Sequence, residues 1–244
     1  GDVKFQGAIG TTGSGIGNLD VNQSAGSGDI EIFNIGVTSG GGNVVGVTGT
    51  VNIGNTSTTS ITLDGEVYRT DGATEFDATS TGASIKLTGT SPTFTTTAGN
   101  LLKFSTADVE LSGTDGGTPD VGLTTFTAPG GATFVGDIIA KNGMTGVESL
   151  TIETGAGNLD IGGSIGGSGK AIGTLTINSS GAGTIAIAGI GTSSAVGVSG
   201  NTAIGNSSTG SITLDGAEYN TTGSQTYEAT GGTNIDITGT ATEI

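Results

Sequence analysis

Ile53-Gly-Asn-Thr-Ser-Thr-Thr-Ser-Ile-Thr-Leu-Asp-Gly65 returns, little changed, as Ile204-Gly-Asn-Ser-Ser-Thr-Gly-Ser-Ile-Thr-Leu-Asp-Gly216. Over residues 45–65 against 196–216, 15 of 21 positions are identical at a constant offset (212 − 61 = 151). Within the stretch, Ser-Ile-Thr-Leu alternates apolar with hydroxyl side chains and lies between turn formers. On one side stands Gly-Asn, on the other Asp-Gly, so it reads as one short strand between two corners. A long internal period of this kind is the mark of a repeat architecture.

The long repeat extends outward from this stretch. Gly1-Asp-Val-Lys-Phe-Gln-Gly-Ala-Ile-Gly10 aligns with Gly157-Asn-Leu-Asp-Ile-Gly-Gly-Ser-Ile-Gly166, and Ile16-Gly-Asn-Leu-Asp-Val-Asn22 with Ile172-Gly-Thr-Leu-Thr-Ile-Asn178. Tyr68 matches Tyr219, Phe76 matches Tyr227, and Ile85-Lys-Leu-Thr-Gly89 matches Ile235-Asp-Ile-Thr-Gly239. The offset falls from 156 to 151 through small deletions, four of them in residues 38–43. The chain is read as one continuous array over residues 1–244, with copy one at 1–156 and a partial copy two at 157–244.

A shorter period lies inside the long one. Gly1-Asp-Val-Lys-Phe, Gly28-Asp-Ile-Glu-Ile, Ser60-Ile-Thr-Leu, Ser84-Ile-Lys-Leu and Asp108-Val-Glu-Leu share one pattern, which continues in Thr133-Phe-Val, Asn158-Leu-Asp-Ile, Thr184-Ile-Ala-Ile, Ser211-Ile-Thr-Leu and Asn234-Ile-Asp-Ile. From position 3 to position 235 the mean step is (235 − 3)/9, about 26 residues, which lies inside the range of solenoid repeats. Six steps make one long repeat. A looser ladder, including Leu19-Asp-Val, Leu102-Lys-Phe, Leu150-Thr-Ile and Leu175-Thr-Ile, runs between these rungs.

The fold expected is all-β: a parallel β-helix (β-solenoid) of about ten coils, two or three strands per coil, with turn formers at the corners. Coils stacked at about 4.8 Å would carry their Ile, Val, Leu and Phe into continuous inward files, making a rod of roughly 48 Å with a long repeat of roughly 29 Å. The alternative is a tandem of β-sandwich domains, which also gives short strands at regular spacing. The near-regular step and the small number of large aromatics argue for the solenoid.

Composition sets limits on function. The 244 residues include 50 Gly, no Cys, no His, no Trp and three Pro, with a formal net charge of −16 from 22 acidic and 6 basic side chains. The cations Lys4, Arg69, Lys86, Lys103, Lys141 and Lys170 stand singly, so no basic patch neutralises phosphates, and neither nucleic acid nor an anionic lipid surface is an expected partner. No apolar run approaches the roughly 18 residues of a membrane span. The chain opens on Gly1 without Met or signal peptide and reads as a processed or excised segment. Neither residues 1–5 nor residues 235–244 resemble a cap, so more chain or other subunits are expected at both ends.

Gly1-Asp-Val-Lys-Phe-Gln-Gly-Ala-Ile-Gly10, Ile16-Gly-Asn-Leu-Asp-Val-Asn22 and Ser211-Ile-Thr-Leu-Asp-Gly-Ala-Glu-Tyr-Asn-Thr-Thr-Gly-Ser-Gln-Thr-Tyr227 resemble the β-strand repeats of filamentous-haemagglutinin-like and autotransporter-adhesin-like bacterial surface exoproteins. The likeness is one of composition and repeat and covers essentially the whole chain. It implies a secreted, elongated β-helical stalk or filament at the cell surface, with self-association or neighbouring repeats of the same chain as partners. It transfers no site residue.

The candidate chemistry is sparse. Asp64 and Asp215 precede Gly in the recurring Thr-Leu-Asp-Gly and read either as a carboxylate ladder for Ca²⁺ or as Asp-Gly corners, the latter favoured because the glycine-aspartate nonapeptide of Ca²⁺-binding β-rolls is absent. Gly113-Thr-Asp-Gly-Gly-Thr-Pro-Asp120 is the best cation candidate, with Asp115 and Asp120 in one loop. Two carboxylates still need backbone or water oxygens to reach the six to eight ligands of Ca²⁺. The run Gly162-Gly-Ser-Ile-Gly-Gly-Ser-Gly169 lacks the Lys and helix of a phosphate loop. Asn22, Asn55, Asn178, Asn206 and Asn220 head Asn-x-Ser/Thr triplets at a frequency chance explains.

Tyr68, Tyr219 and Tyr227 read as sugar-stacking rings or, preferably, as rings packed between coils. Phe5, Phe33, Phe76, Phe104, Phe126 and Phe134 read as core aromatics. No catalytic residue, cofactor or metal site is assigned. An enzyme of the β-helical polysaccharide-degrading kind is the remote alternative, disfavoured by the lack of His and Cys among its acid-base groups. A Ca²⁺- or carbohydrate-binding adhesin module is the nearer one.

Overall fold

The computed structural model describes residues 1–11, 15–21, 28–39, 42–97, 99–111, 122–141, 146–230 and 234–239. Among these residues there are strands, turns and bends and no helix. One parallel sheet winds into a β-solenoid; a small antiparallel hairpin, Val37–Ser39 against Gly42–Val44, stands apart from it. The tandem-sandwich alternative is thereby set aside.

Each lap crosses three files of stacked strands. The first file pairs Val3, Ile30, Ile61, Ile85, Val109, Ile138, Ile165, Ile190 and Tyr219 in unbroken succession. The second runs from Ile9 and Ile35 through Tyr68, Phe94, Phe126 and Ile152 to Ile177, Ile204 and Tyr227. The third runs from Val21 and Ile53 through Phe76, Phe104, Phe134 and Ile161 to Ile187, Leu214 and Ile237. Because every lap returns the chain in the same direction, like residues stack in register, Ile on Ile or Phe on Phe, and their apolar surface is shared along the axis.

Eight turns separate the two ends of the first file, a mean sequence separation of (219 − 3)/8 = 27 per turn. Along this file individual laps range from 24 (Ile61 to Ile85) to 31 (Ile30 to Ile61). The expected count of about ten coils is corrected to eight turns by this pairing. The ladder read from the sequence follows the first file from Val3 to Val109, then passes to the third file at Thr133-Phe-Val and stays there through Leu159, Ile185, Ile212 and Ile235. From Val109 to Phe134 the chain covers two-thirds of a turn over a sequence separation (134 − 109 = 25) that elsewhere suffices for a full lap (85 − 61 = 24). Residues 112–121, which are not described, fall within that span.

The long repeat is corrected in the same way. From Ile61 the first file takes five turns to reach Ile190, and the chain then crosses the second file at Ile204 before reaching Ile212 on the third. One long repeat is therefore five and two-thirds turns, not six.

The interior is filled by the inward residues of all three files. Ile30, Ile61, Ile85, Ile138, Ile165 and Ile190 are fully buried, each contributing roughly 1.5–3 kcal/mol relative to an exposed side chain. Midway along the rod the filling is aromatic. Tyr68, Phe94 and Phe126 stack at 4.5 and 4.9 Å in the second file, and Phe76, Phe104 and Phe134 at 5.1 and 5.2 Å in the third. The two columns meet edge to face, Phe94 on Phe104 at 5.6 Å and Phe104 on Phe126 at 5.3 Å. Phe94 belongs to this cluster although its sequence context did not single it out. Phe33 does not: it is 42% exposed, because it holds the outward position in the alternation set by Ile30 and Ile32. The register shifts just after it, where two residues of the strand Val3–Ile9 lie opposite Phe33 alone, and this brings Ile35 rather than Asn34 inward.

Candidate functional site

The repeated stretch that defines the chain builds two corners and the strand between them. In the first corner Gly54 takes φ 85°, and a Cβ there would fall 2.1 Å from the Asp77 carbonyl oxygen. Asn55 Oδ1 accepts the Ser57 amide at 2.7 Å, and the buried Thr58 hydroxyl accepts the Asn55 amide at 2.9 Å. The second copy repeats this: Gly205 has φ 80°, Asn206 Oδ1 accepts Ser208 N–H at 2.8 Å, and the Thr209 hydroxyl accepts Asn206 N–H at 3.0 Å. The Asn side chains of two Asn-x-Ser/Thr triplets thus serve Asx turns.

The strands Ser60–Leu63 and Ser211–Leu214 follow, each with two inward apolar residues. Asp64 and Asp215 then begin the second corner, donating their amides to Ile32 O at 3.0 Å and Ile187 O at 3.3 Å. The Asp64 carboxylate accepts the Thr88 hydroxyl from the next lap at 2.8 Å. Both aspartates therefore sit at corners, and the glycine after each is enforced by contact. A Cβ on Gly65 or Gly216 would lie 1.5 Å from the carbonyl oxygen of Phe33 or Ala188.

Tyr68 and Tyr219 close these corners from inside. Tyr68 is 2% and Tyr219 1% exposed, and burial pushes both phenols up from their ordinary value. Tyr227 is half-buried, its hydroxyl donates to Gln225 Oε1 at 2.5 Å, and burial raises it to about 12. The three tyrosines form no exposed strip; among the aromatics of the described residues, Phe33 is the one more than a third exposed.

Asp115 and Asp120 lie outside the described residues. Among the described residues no three His, Cys, Asp or Glu side chains converge in a way that could hold a metal ion. An acidic groove of about 260 Å³ is lined by Asp20, Asn52, Asn55, Glu75 and Asp77. Two of its carboxylates are engaged with the scaffold. Lys103 Nζ lies 2.8 Å from Glu75 Oε1, the Ser105 hydroxyl donates to the same oxygen at 3.0 Å, and the Lys103 hydrogen bond holds the Glu75 carboxyl below its usual range. The Thr79 hydroxyl donates to Asp77 Oδ1 at 3.0 Å.

Elsewhere, Asp108 stacks in register on Asp137, and its carboxyl is raised first by burial, with Lys170 pulling it back and Asp137 pushing it further up. Glu148, 1% exposed, packs beside Gly122, where a Cβ would lie 2.2 Å from its Oε2. No feature of the sequence around Glu148 had marked it as buried. The run 162–169 holds no phosphate loop: Gly162 and Gly163 belong to the strand Leu159–Ile165, and a Cβ on Gly163 would fall 2.3 Å from the Gly136 carbonyl carbon. These glycines answer to close stacking of laps.

Comparison of the chain with models of protein families, with curated proteins and with solved structures finds no match.

Proposed function

We propose that this chain is a structural segment, the shaft or filament portion of a large secreted bacterial surface fibre, with no catalytic role. The observation that carries the reading is the first file. Its nine registered residues pass from copy one into copy two, from Ile138 to Ile165, without a break in pairing. Two copies of the repeat thus share one core, and the mechanism is mechanical: backbone hydrogen bonds run along the axis, and the inward files hold successive laps together. The partners are neighbouring repeats of the same long chain or further copies of it.

The excess of acidic side chains supports the same reading, since it keeps a long β rod soluble and limits lateral aggregation. The surface location rests on the resemblance of the repeats to those of exported adhesins and on a composition without cysteine.

Imaging of the native fibre, averaged along its axis, tests the proposal. A shaft gives an axial spacing of about 4.8 Å that persists along the fibre. Beads without that spacing refute it. Calcium supplies the second arm: thermal unfolding of the wild type and of Asp115→Ala/Asp120→Ala is compared with and without added Ca²⁺. A shaft melts alike in all four conditions. A Ca²⁺-dependent rise in Tm that the double variant loses makes the chain a calcium-binding module instead.

A further inference from the structure

Each copy of the repeat carries a pair of side excursions at one defined place. In copy one, Ile9 pairs with Ile35 and Ile35 with Tyr68, while Ile16 pairs with Val47 and Val47 with Thr70. Tyr68 and Thr70 are two positions apart in one strand, Val67–Thr70. In the two laps beneath it, the chain leaves the second file at the same point, between Ile9 and Ile16 and between Ile35 and Val47, spans that include residues 12–14, 40 and 41, which are not described. In copy two, Ile165, Ile190 and Tyr219 are paired in succession, as are Ile172, Val198 and Thr221. Here residues 166–171 and 191–197 are the insertions.

The necks of these excursions are built alike. A Cβ on Gly46 would lie 2.2 Å from Gly36 N and 2.5 Å from Ile9 O, and one on Gly197 would lie 2.2 Å from both Gly191 N and Ile165 O. The upper excursion is eleven residues in copy one (36–46) and seven in copy two (191–197). The four-residue difference accounts for the main length change between the copies, and it leaves the files untouched.

The two pairs of excursions lie on different sides of the solenoid. In copy one they interrupt the second file, the file of Tyr68 and Phe94; in copy two they interrupt the first, the file of Ile138 and Tyr219. This follows from the five and two-thirds turns per copy.

We infer that each copy of the long repeat is set one file back around the solenoid from the copy before it, so that a shaft of such repeats presents its paired excursions on each of its three sides in turn and returns to the first only after three copies. The inference rests on the shaft reading. Each copy advances about 27 Å and three copies, seventeen turns, about 82 Å at about 4.8 Å per turn. A shaft so built has no preferred side: a neighbour approaching from any direction meets an excursion within three copies. The excursion is also where the copies differ in length, so the inserted part can vary while the core register is kept.

The phase is tested on this chain by pairing cysteines across adjacent laps, since the protein has no cysteine of its own. Lys103 and Thr133 are outward neighbours in the third file, and Glu110 and Ile139 are neighbours in the first. Stacked laps about 4.8 Å apart lie within disulfide reach. Lys103→Cys/Thr133→Cys is expected to oxidise to an intramolecular disulfide nearly completely, and Glu110→Cys/Thr133→Cys to stay reduced in the folded protein. If the copies instead stood file above file at six turns each, Glu110 would stack on Thr133. A disulfide in the second pair and none in the first therefore overturns the inference. In the native fibre, a spacing of about 4.8 Å with a true repeat of roughly 29 Å, one copy of six turns, overturns it while leaving the shaft intact. Loss of the lap spacing removes the shaft itself, whatever the cysteines report.

Discussion

The hydroxyls of Tyr68 and Tyr219 each accept a backbone amide three residues upstream, from Gly65 at 2.9 Å and Gly216 at 3.1 Å, although the two rings stand on different files of the solenoid. Each hydroxyl also donates to the preceding lap: Tyr68 to Ile32 O and Phe33 O at 3.2 and 3.0 Å, Tyr219 to Ile187 O at 2.5 Å. One local device, Asp-Gly-x-x-Tyr, thus pins a corner to the lap before it wherever the phase of the repeat happens to place it.

Removing either hydroxyl leaves a buried amide and its partner carbonyl without their bond. Tyr68→Phe and Tyr219→Phe are each expected to lower stability by about 1–3 kcal/mol, the cost of unsatisfied buried polar groups. The loss is read as a lower midpoint in urea unfolding. Wild-type midpoints in both variants would show that the hydroxyls do not pin the corners.

Alkaline pH should act through the same rings. Burial raises the Tyr68, Tyr219 and Tyr227 phenols, the last to about 12, whereas in the unfolded chain they ionise near 10. A group whose folded pKa is raised contributes stability that is complete below the unfolded value and is lost as pH rises. Tm should hold up to about pH 9 and then fall steeply above about pH 10. Tyr68→Phe, starting from a lower Tm, should show a shallower fall, and an equally steep one would mean that the Tyr68 phenol is not the group responsible.

Gly65 and Gly216 should be the least replaceable glycines of the repeated stretch. Alanine at either brings Cβ within 1.5 Å of a backbone oxygen on the neighbouring lap, which no side-chain rotation relieves. Each Gly→Ala change is expected to cost more than about 3 kcal/mol, beyond the usual range for single substitutions. Gly17 provides the control, because nothing lies within 4 Å of the place its Cβ would take. Gly17→Ala should stay within about 0.5 kcal/mol of wild type.

Phe94 is one of the rings through which the two aromatic columns meet, touching Tyr68, Phe76, Phe104 and Phe126 at centroid distances between 4.5 and 6.1 Å. Phe94→Ala should destabilise by about 3–5 kcal/mol, and Phe94→Leu by clearly less. Because a solenoid is stabilised lap by lap, the Ala variant should also open first in this region, seen as lost amide-exchange protection in the strands Thr93–Thr96 and Leu102–Thr106. Uniform loss along the rod would argue against a local aromatic plug.

Much of this protein was determined by sequence alone. Alternating apolar residues between turn formers, as in Ser-Ile-Thr-Leu-Asp-Gly, settle locally that the segment is a strand and which side chains point inward, because strand alternation and corner chemistry depend on neighbours within a few residues. Repetition of that segment then requires stacked laps. The sequence also placed Asp64 and Asp215 at corners and preferred packed roles for Tyr68 and Tyr219.

Three things were decided only in the tertiary structure. Ile35, and not Asn34, turned inward because the alternation set by Ile30 and Ile32 shifts after Phe33, where two residues of the strand Val3–Ile9 lie opposite one, and a bulge shows itself only against its partner strand. Glu148 became buried through laps it meets in space. The phase of the repeat, and with it the count of eight turns, depends on which residue lies over which. Laps of unequal length, from 24 to 31 in sequence separation along the first file alone, let a ladder counted along the chain slip unnoticed from the first file to the third between Val109 and Phe134. Spacing along a sequence measures contour length, whereas a file is defined by hydrogen bonds between laps, and loops of unequal length separate the two.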